Sequence, residues 1–189
     1  MGEGYLIFSP APYHILSYGT LLGTQVFHTF INSVTSIKVL ERPQFAILQR
    51  ALFPTYFGIQ TAGPVLLALT YPGSSVLRTA LDGTTTSSSI AGVLHSSNRW
   101  GVLVPLVTVF ATGLVNLAYL LPETNKVTAK RREQEKEDGK QSYDGPPHSE
   151  KMTALNKEFG KLHGISSLLN LITLVATVAY GVNLSSRLE

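Results

Sequence analysis

The sequence predicts an all-α integral membrane protein: a four-helix bundle with a long charged cytosolic loop, containing helical segments, between spans 3 and 4. Charged residues make up only 14% of the chain, against the roughly 25% that is usual in soluble domains. They are also concentrated, because residues 122–162 hold nine of the 15 Lys and Arg and eight of the 12 Asp and Glu. Outside that segment, apolar stretches reach the ~20 residues that a helix needs to cross a bilayer.

The predicted spans lie at about residues 12–37, 51–71, 101–121 and 162–182, within a single membrane domain covering residues 1–189. Pro122 is expected to end the third span, because proline removes a helical hydrogen bond. The hairpin that follows, residues 122–161, is predicted to hold a polar helix and then a second helix capped by Ser149. Apolar spacing predicts that this second helix continues into the fourth span.

Lys and Arg placement predicts the orientation of the spans. Loops 1 and 3 carry twelve of the 15 basic residues, whereas the other side carries only Arg78, Arg99 and Arg187. Because basic loops stay in the cytosol, both termini are expected to be lumenal or extracellular. No Lys or Arg precedes the first span, so neither a secretory signal nor a mitochondrial presequence is predicted. This favours a eukaryotic endomembrane location, in the endoplasmic reticulum or plasma membrane.

Each span carries polar residues along one side. In the first span, His14, Tyr18, Gln25, His28, Asn32 and Ser36 fall within an arc of about 80° on a helical wheel, with Leu21 filling the missing turn. We expect these arcs to face one another, because polar groups are costly in hydrocarbon. Gly19 and Gly23, on the opposite side, form a small-xxx-small pattern that predicts a close contact with a neighbouring helix.

Facing arcs would bring polar residues together near the cytosolic ends of the spans. The expected polar cluster, a candidate ligand-binding site, consists of His28, Asn32, Tyr56, Asn116, Tyr119, His163, Ser166, Ser167 and Asn170. A sparser set toward the lumen consists of His14, Tyr18, Gln60 and Thr108. Such residues commonly stabilise a bundle through interhelical hydrogen bonds. On this interpretation, His163 and Asn170 tie the fourth helix to the first and third.

Composition narrows the possible functions. The net charge of +3 is small and interleaved with acids, so nucleic-acid binding is not expected. The absence of Cys excludes disulfides and Cys-based catalysis, and no catalytic triad, phosphate loop or zinc motif is present. No catalytic residue is therefore assigned, and no cofactor or metal is expected. Haem b is the alternative, because His28 and His163 lie on different spans at similar depth and haem in helix bundles takes axial histidines.

Five segments resemble the transmembrane protein 205-like family of small four-span eukaryotic membrane proteins. They are HILSYGTLLGTQ (14–25), RPQF (42–45), QxxLFPxYF (49–57), NxxYLxPxT (116–124) and FGKLHGISSLLNL (159–171). The resemblance implies a four-helix integral membrane protein and supplies no catalytic activity.

Three functions remain open at this point. The first is a non-enzymatic accessory or scaffold protein that lies in the lipid bilayer and offers the hairpin, residues 123–161, to a protein partner. The second is transport or handling of a small molecule, metal or lipid through the polar stripe. The third is a haem-binding redox protein.

Overall fold

The computed structural model describes residues 9–72 and 89–186, which are helical almost throughout and contain no β-strand. Helix α1 consists of Pro10–Val26 and Ser33–Val39, joined by the π-helical turn Phe27–Asn32. Helix α2 is Arg42–Leu69, and the short α3 is Ser89–Leu94, followed by the 3-10 turn Ser96–Asn98. Helix α4 runs through Arg99–Leu103, Val104–Val115, Asn116–Leu120 and Leu121–Asp138, the first and third of which are π-helical. Helix α5 is Glu150–Ser185. The Gly/Ser/Thr-rich stretch at 81–90, whose composition predicts a mobile loop, lies largely outside the described residues.

Three of these helices are long and apolar enough to cross a membrane: Arg42–Leu69, Ser96–Asp138 and Glu150–Ser185. The chain is therefore a multi-pass membrane protein. Helix α1 is not among the three, because the histidines and amides of its polar arc lower its mean hydropathy.

The four long helices pack in a ring. Helix α1 contacts α2 and α5, and α4 contacts α2 and α5 on the other side. The apolar core lies between them and under α3. Its buried members are Leu21, Leu67, Tyr71, Val93, Val102, Leu106, Val109, Tyr180 and Leu184. Burial of this size is the main stabilising contribution in a packed domain, although in a membrane close packing replaces part of the hydrophobic effect.

Helices α4 and α5 extend together beyond the apolar region. The helix Ser96–Asp138 has 43 residues and α5 has 36, so at 1.5 Å per residue they are about 65 Å and 54 Å long. Both lengths exceed the ~30 Å of a hydrocarbon core. Their paired, charged ends, residues 122–161, form a two-helix stalk. The end of the ring that carries it is called the stalk end here, and the opposite end the far end.

Pro122, where the third span is predicted to end, does not break the helix, because α4 continues through it. Pro122 lies in the first turn of Leu121–Asp138, directly after the π turn Asn116–Leu120. A proline in the first turn of a helical segment costs little, since its missing N–H is the one that the preceding irregular turn leaves without an ordinary partner. Pro105 follows the π turn Arg99–Leu103 in the same way.

The tip of the stalk is fixed by capping and side-chain hydrogen bonds. Gly139 ends α4 with a φ of 62°, the left-handed conformation that favours glycine. Ser149 caps α5 by accepting a hydrogen bond from the Met152 backbone N–H at 3.1 Å, and α5 is unbroken into the apolar region, so both predictions are confirmed. The Ser149 hydroxyl also donates to Asp138 at 2.7 Å and holds the pKa of that carboxyl below its ordinary value. Because a lowered carboxyl pKa means that the ionised form is favoured, this contact is present at neutral pH and is lost in strong acid.

One close contact between helices is made at a glycine, but this glycine is neither of the two that the sequence indicated. Gly19 and Gly23 have open space around them, so the predicted small-xxx-small contact within the chain is wrong. A Cβ at Gly113 of α4 would instead lie 3.0 Å from the carbonyl carbon of Gln60 in α2. Pro64 removes the N–H to which the Gln60 carbonyl would bond within its own helix. The freed carbonyl thus lies directly against Gly113.

Replacing Gly113 by Leu should destabilise the protein, because the new side chain pushes α4 away from the α2 backbone. Overpacking of this kind costs about 1–3 kcal/mol. Gly23→Leu is the matched control, since Gly23 is exposed and a Cβ there meets nothing within 4 Å. Thermal unfolding of both variants in the same detergent measures the difference, and equal melting temperatures would contradict the close α2–α4 contact.

Candidate functional site: the polar interior

The polar arc of α1 faces the other helices, as the sequence predicts. His14 is 0% exposed and Gln25 is 1% exposed, whereas Leu16 and Phe30, on the outer side of the same helix, are 66% and 58% exposed. Helix α1 is therefore polar inside and apolar outside, the reverse of a helix on a soluble protein.

A small polar cluster occupies the far end. The imidazole of His14 bonds to Thr70 Oγ1 at 3.0 Å and to the Tyr180 hydroxyl at 2.6 Å. Tyr18 packs beside Tyr180 with ring centroids 6.0 Å apart, and its hydroxyl lies against Gly181. We call His14, Tyr18, Thr70 and Tyr180 the His14 cluster. It links α1 to the end of α2 and to α5.

The other two members of the predicted lumenal set bond to different partners. Thr108 donates to the Val104 carbonyl of its own helix at 2.8 Å, and Gln60 donates to Asn170, nearer the stalk. Tyr180 is not among the residues predicted from the sequence, although it follows Thr177 by one turn on the inward side of α5. The helical spacing of Thr173, Thr177 and Tyr180 was the sequence signal that could have indicated it.

Nearer the stalk, polar residues from all four long helices form a second group. We call Gln25, His28, Tyr56, Gln60, Asn116, Ser166 and Asn170 the central polar layer. The His28 ring packs on the Tyr56 ring with centroids 4.2 Å apart. His28 also packs against the Phe53 ring, with centroids 5.3 Å apart, and Tyr56 is followed one turn later in α2 by the buried Gln60. These contacts connect α1 to α2.

Two hydrogen bonds connect α5 to its neighbours within this layer. Gln60 Nε2 donates to Asn170 Oδ1 at 3.1 Å, which joins α2 to α5. Ser166 Oγ donates to Asn116 Oδ1 at 2.7 Å, which joins α5 to α4. A third contact, between the Thr112 and Thr173 hydroxyls at 2.7 Å, lies one turn further toward the far end.

Three residues expected in the cluster lie on the surface instead. Tyr119 is 60% exposed, because the π turn Asn116–Leu120 adds a residue to the helical turn and gives Leu120 the inward position. The buried side of α5 is the one that carries Thr173 and Thr177. His163 and Ser167 lie about 60° and 100° from Ser166 around that helix, so both fall outside the buried side.

His163 and Asn170 do not connect α5 to α1 and α4, the predicted first and third spans. Asn170 bonds to α2, and His163 stacks on Phe159 of its own helix with ring centroids 5.8 Å apart. His28 is buried against Tyr56 and Phe53, so His28 and His163 do not face a common interior space as axial haem ligands would. Within residues 9–72 and 89–186, no group of three or more His, Asp or Glu side chains converges as a metal site would require.

Several buried polar atoms of the central polar layer have no hydrogen-bond partner among the residues that the structure describes. They are Gln25 Oε1 and Nε2, His28 Nε2, Gln60 Oε1 and Asn116 Nδ2. Both amide atoms of Gln49 are in the same condition on the same side of α2, nearer the stalk. Native structures leave few such atoms, so each needs an explanation.

A polar interior enclosed by long helices with an apolar outer surface defines a multi-pass helical membrane protein. The chain belongs to the family described as a domain of unknown function, DUF4149, whose model matches residues 16–133. It is 36% identical over 177 residues to "Xanthocillin biosynthesis cluster protein D" of Aspergillus fumigatus, an alignment that covers 94% of this chain and 90% of that protein. No solved structure matches the chain significantly.

Asn170→Ala should destabilise the protein, because it leaves the Gln60 amide N–H buried without an acceptor. The expected cost is about 1–3 kcal/mol, the penalty for an unsatisfied buried donor. His163→Ala and Ser167→Ala, on the same helix and exposed, should change stability by less than about 0.5 kcal/mol. Unfolding curves in mixed micelles compare the three. A larger loss for His163→Ala than for Asn170→Ala would refute this assignment.

Proposed function

We propose that this chain is a non-enzymatic accessory or scaffold membrane protein that holds its stalk out to a protein partner. The observation that carries the proposal is the construction of the stalk itself. Two helices leave the apolar region together, and side-chain hydrogen bonds fix their turn, so the surface they present is preorganised. Rigid elements bind partners at a lower entropic cost than loops do.

Contacts inside the stalk support this rigidity. Arg131 Nε donates to Asn156 Oδ1 at 2.9 Å, and its guanidinium lies 4.3 Å from the centre of the Phe159 ring. Asn156 also donates to the Ser142 carbonyl at 3.0 Å, which ties the turn to α5. Beneath them, Val127 and Met152 are buried between the helices.

Charges on the stalk are segregated along its length. Residues 122–132 and 157–161, nearest the apolar region, contain six basic and two acidic residues. Residues 133–151, at the tip, contain six acidic and three basic residues. The positively charged part of the stalk nearest the apolar region suits the anionic surface of a cytosolic leaflet. The acidic tip favours a partner with a basic surface, since complementary potentials steer association.

The proposal places four spans in the membrane, with α1 as the fourth, both termini lumenal or extracellular and the stalk cytosolic. The packing of α1 against α2 and α5 supports this count, and the Lys and Arg bias supports the orientation. We place the chain in the transmembrane protein 205-like family and in the endoplasmic reticulum or plasma membrane. The name of the fungal relative associates that protein with a biosynthesis cluster. An accessory role beside biosynthetic enzymes is consistent with that association.

A photo-crosslinking residue at the stalk tip tests the partner surface. With p-benzoylphenylalanine in place of Glu137, we expect a discrete crosslinked product in native membranes. The same residue in place of Trp100, which is 78% exposed and lies at the far end, is the control and should give no such product. Adding the tip reversal Glu133→Lys should weaken the Glu137 crosslink severalfold, because it removes part of the acidic surface. The same product from both positions, or none from the stalk, would exclude the scaffold function.

A further inference from the structure

We propose that the central polar layer is a binding site for a small uncharged molecule that both donates and accepts hydrogen bonds, and that it opens toward the stalk end. Gln25, His28, Gln60 and Asn116 carry the free hydrogen-bonding atoms of this site. The stalk has no part in it, so this site and the scaffold function can fail independently.

The four residues lie at one level of the helix ring. Gly113 contacts Gln60, and Asn116 follows Gly113 by one turn toward the stalk. His28 packs on Tyr56, and Gln60 follows Tyr56 by one turn on the same buried side of α2. Gln25 lies between two anchored turns of α1: Leu21, which contacts Gly63, and His28. Because α1 and α2 run antiparallel, Gln25 is brought level with Gln60.

The hydrogen bonds already made determine which atoms remain free. Asn32 Oδ1 accepts from Ser36, which turns the Asn32 amide N–H toward His28 Nδ1 at 3.2 Å. Nδ1 then accepts, and the neutral imidazole carries its hydrogen on the free Nε2.

The other free atoms follow in the same way. Asn116 uses its Oδ1 on Ser166 and keeps a free N–H, whereas Gln60 uses its N–H on Asn170 and keeps a free Oε1. Gln25 keeps both its donor and its acceptor. The site therefore offers donors and acceptors together.

The local backbone supports a binding role rather than simple packing. His28 and Asn116, on different helices, both lie in π-helical turns. Such turns lengthen the helix by a residue at a cost in backbone hydrogen bonding, and they occur frequently at functional sites. Here each one turns a side chain with a free buried donor into the same layer.

The surrounding residues indicate that the ligand is uncharged. Residues 15–37, 51–69, 100–121 and 162–185 contain no Asp, Glu, Lys or Arg. A charged ligand would be desolvated there without a counter-charge, which is strongly unfavourable. Amide and imidazole groups can instead replace the water around a neutral polar molecule.

Polar side chains with unpaired atoms continue from this layer toward the stalk, whereas the threonine hydroxyls toward the far end bond to one another or to carbonyls of their own helix. Toward the stalk, His28, Asn32 and Ser36 form a hydrogen-bonded line along α1, and Gln49 of α2 lies buried at the same end with both amide atoms free. Toward the far end, the apolar side chains of Leu21, Leu67 and Val109 are each at most 1% exposed and fill the interior. This distribution puts the entrance of the proposed site at the stalk end.

Single-cysteine variants test this site cleanly, because the chain has no Cys of its own. Gln25→Cys reports on the proposed site, and Leu21→Cys, one turn toward the far end and equally buried, is the matched control. Lys130→Cys on the stalk gives the modification rate of a solvent-exposed thiol. The probes are uncharged 2-hydroxyethyl methanethiosulfonate and cationic 2-(trimethylammonium)ethyl methanethiosulfonate, both of which react with the thiolate that only a hydrated Cys forms.

With rates normalised to Lys130→Cys, the uncharged probe should modify Gln25→Cys at least tenfold faster than Leu21→Cys. It should also react with Gln25→Cys at least tenfold faster than the cationic probe does. Equal rates for the two probes would mean an unselective water-filled space, and equal rates at the two positions would mean a sealed core. Either result overturns the proposal. If Gln25→Cys does not fold, Asn116→Cys gives the same readout from α4.

Discussion

The rest of the structure depends on where α1 places its polar arc. Two histidines and several amide or hydroxyl side chains on one helix cannot face hydrocarbon, because each unsatisfied polar group there is costly. Turning the arc inward requires polar partners on the helices that α1 contacts. Those partners are present as Thr70 and Tyr180 at the far end and as Tyr56 nearer the stalk. Polar contacts thus determine which helices pack against α1 as much as the shapes of the helices do.

The same constraint separates two parts of the interior that differ chemically. The His14 cluster is packed and bonded, and apolar side chains divide it from the central polar layer. In that layer, the Gln60 and Asn116 amides each bond through one of their two polar atoms and the Gln25 amide through neither, which leaves donors and acceptors that water or a ligand must satisfy. Packing alone would favour apolar residues at these positions, since a half-satisfied polar network is less stable than an apolar core. The stalk is chemically independent of both, because its charges lie beyond the apolar region.

Several features could be predicted from the sequence because local periodicity or capping determines them. The inward arc of α1, the Ser149 cap and the continuity of α5 are examples. The π turns could not be predicted, since they arise from packing and from nearby prolines, and one of them moves Tyr119 outward. On α5, the polar residues span a wider arc than the side of the helix that is buried. Polarity alone therefore could not show that His163 lies on the exposed side. The role of Gln25 depends on its lying level with Gln60 of α2. Only the tertiary structure shows how the two helices are aligned along their axes.

The most direct test is whether α1 crosses the membrane beside the other three helices. Single cysteines at Ser9 and Lys38, which lie at opposite ends of α1, can be labelled in sealed vesicles with a charged, impermeant thiol reagent. Lys130→Cys on the stalk and Ser96→Cys at the far end mark the two sides. Our account predicts that Lys38→Cys is labelled from the same side as Lys130→Cys, and Ser9→Cys from the same side as Ser96→Cys. Labelling of both α1 positions from one side would contradict it.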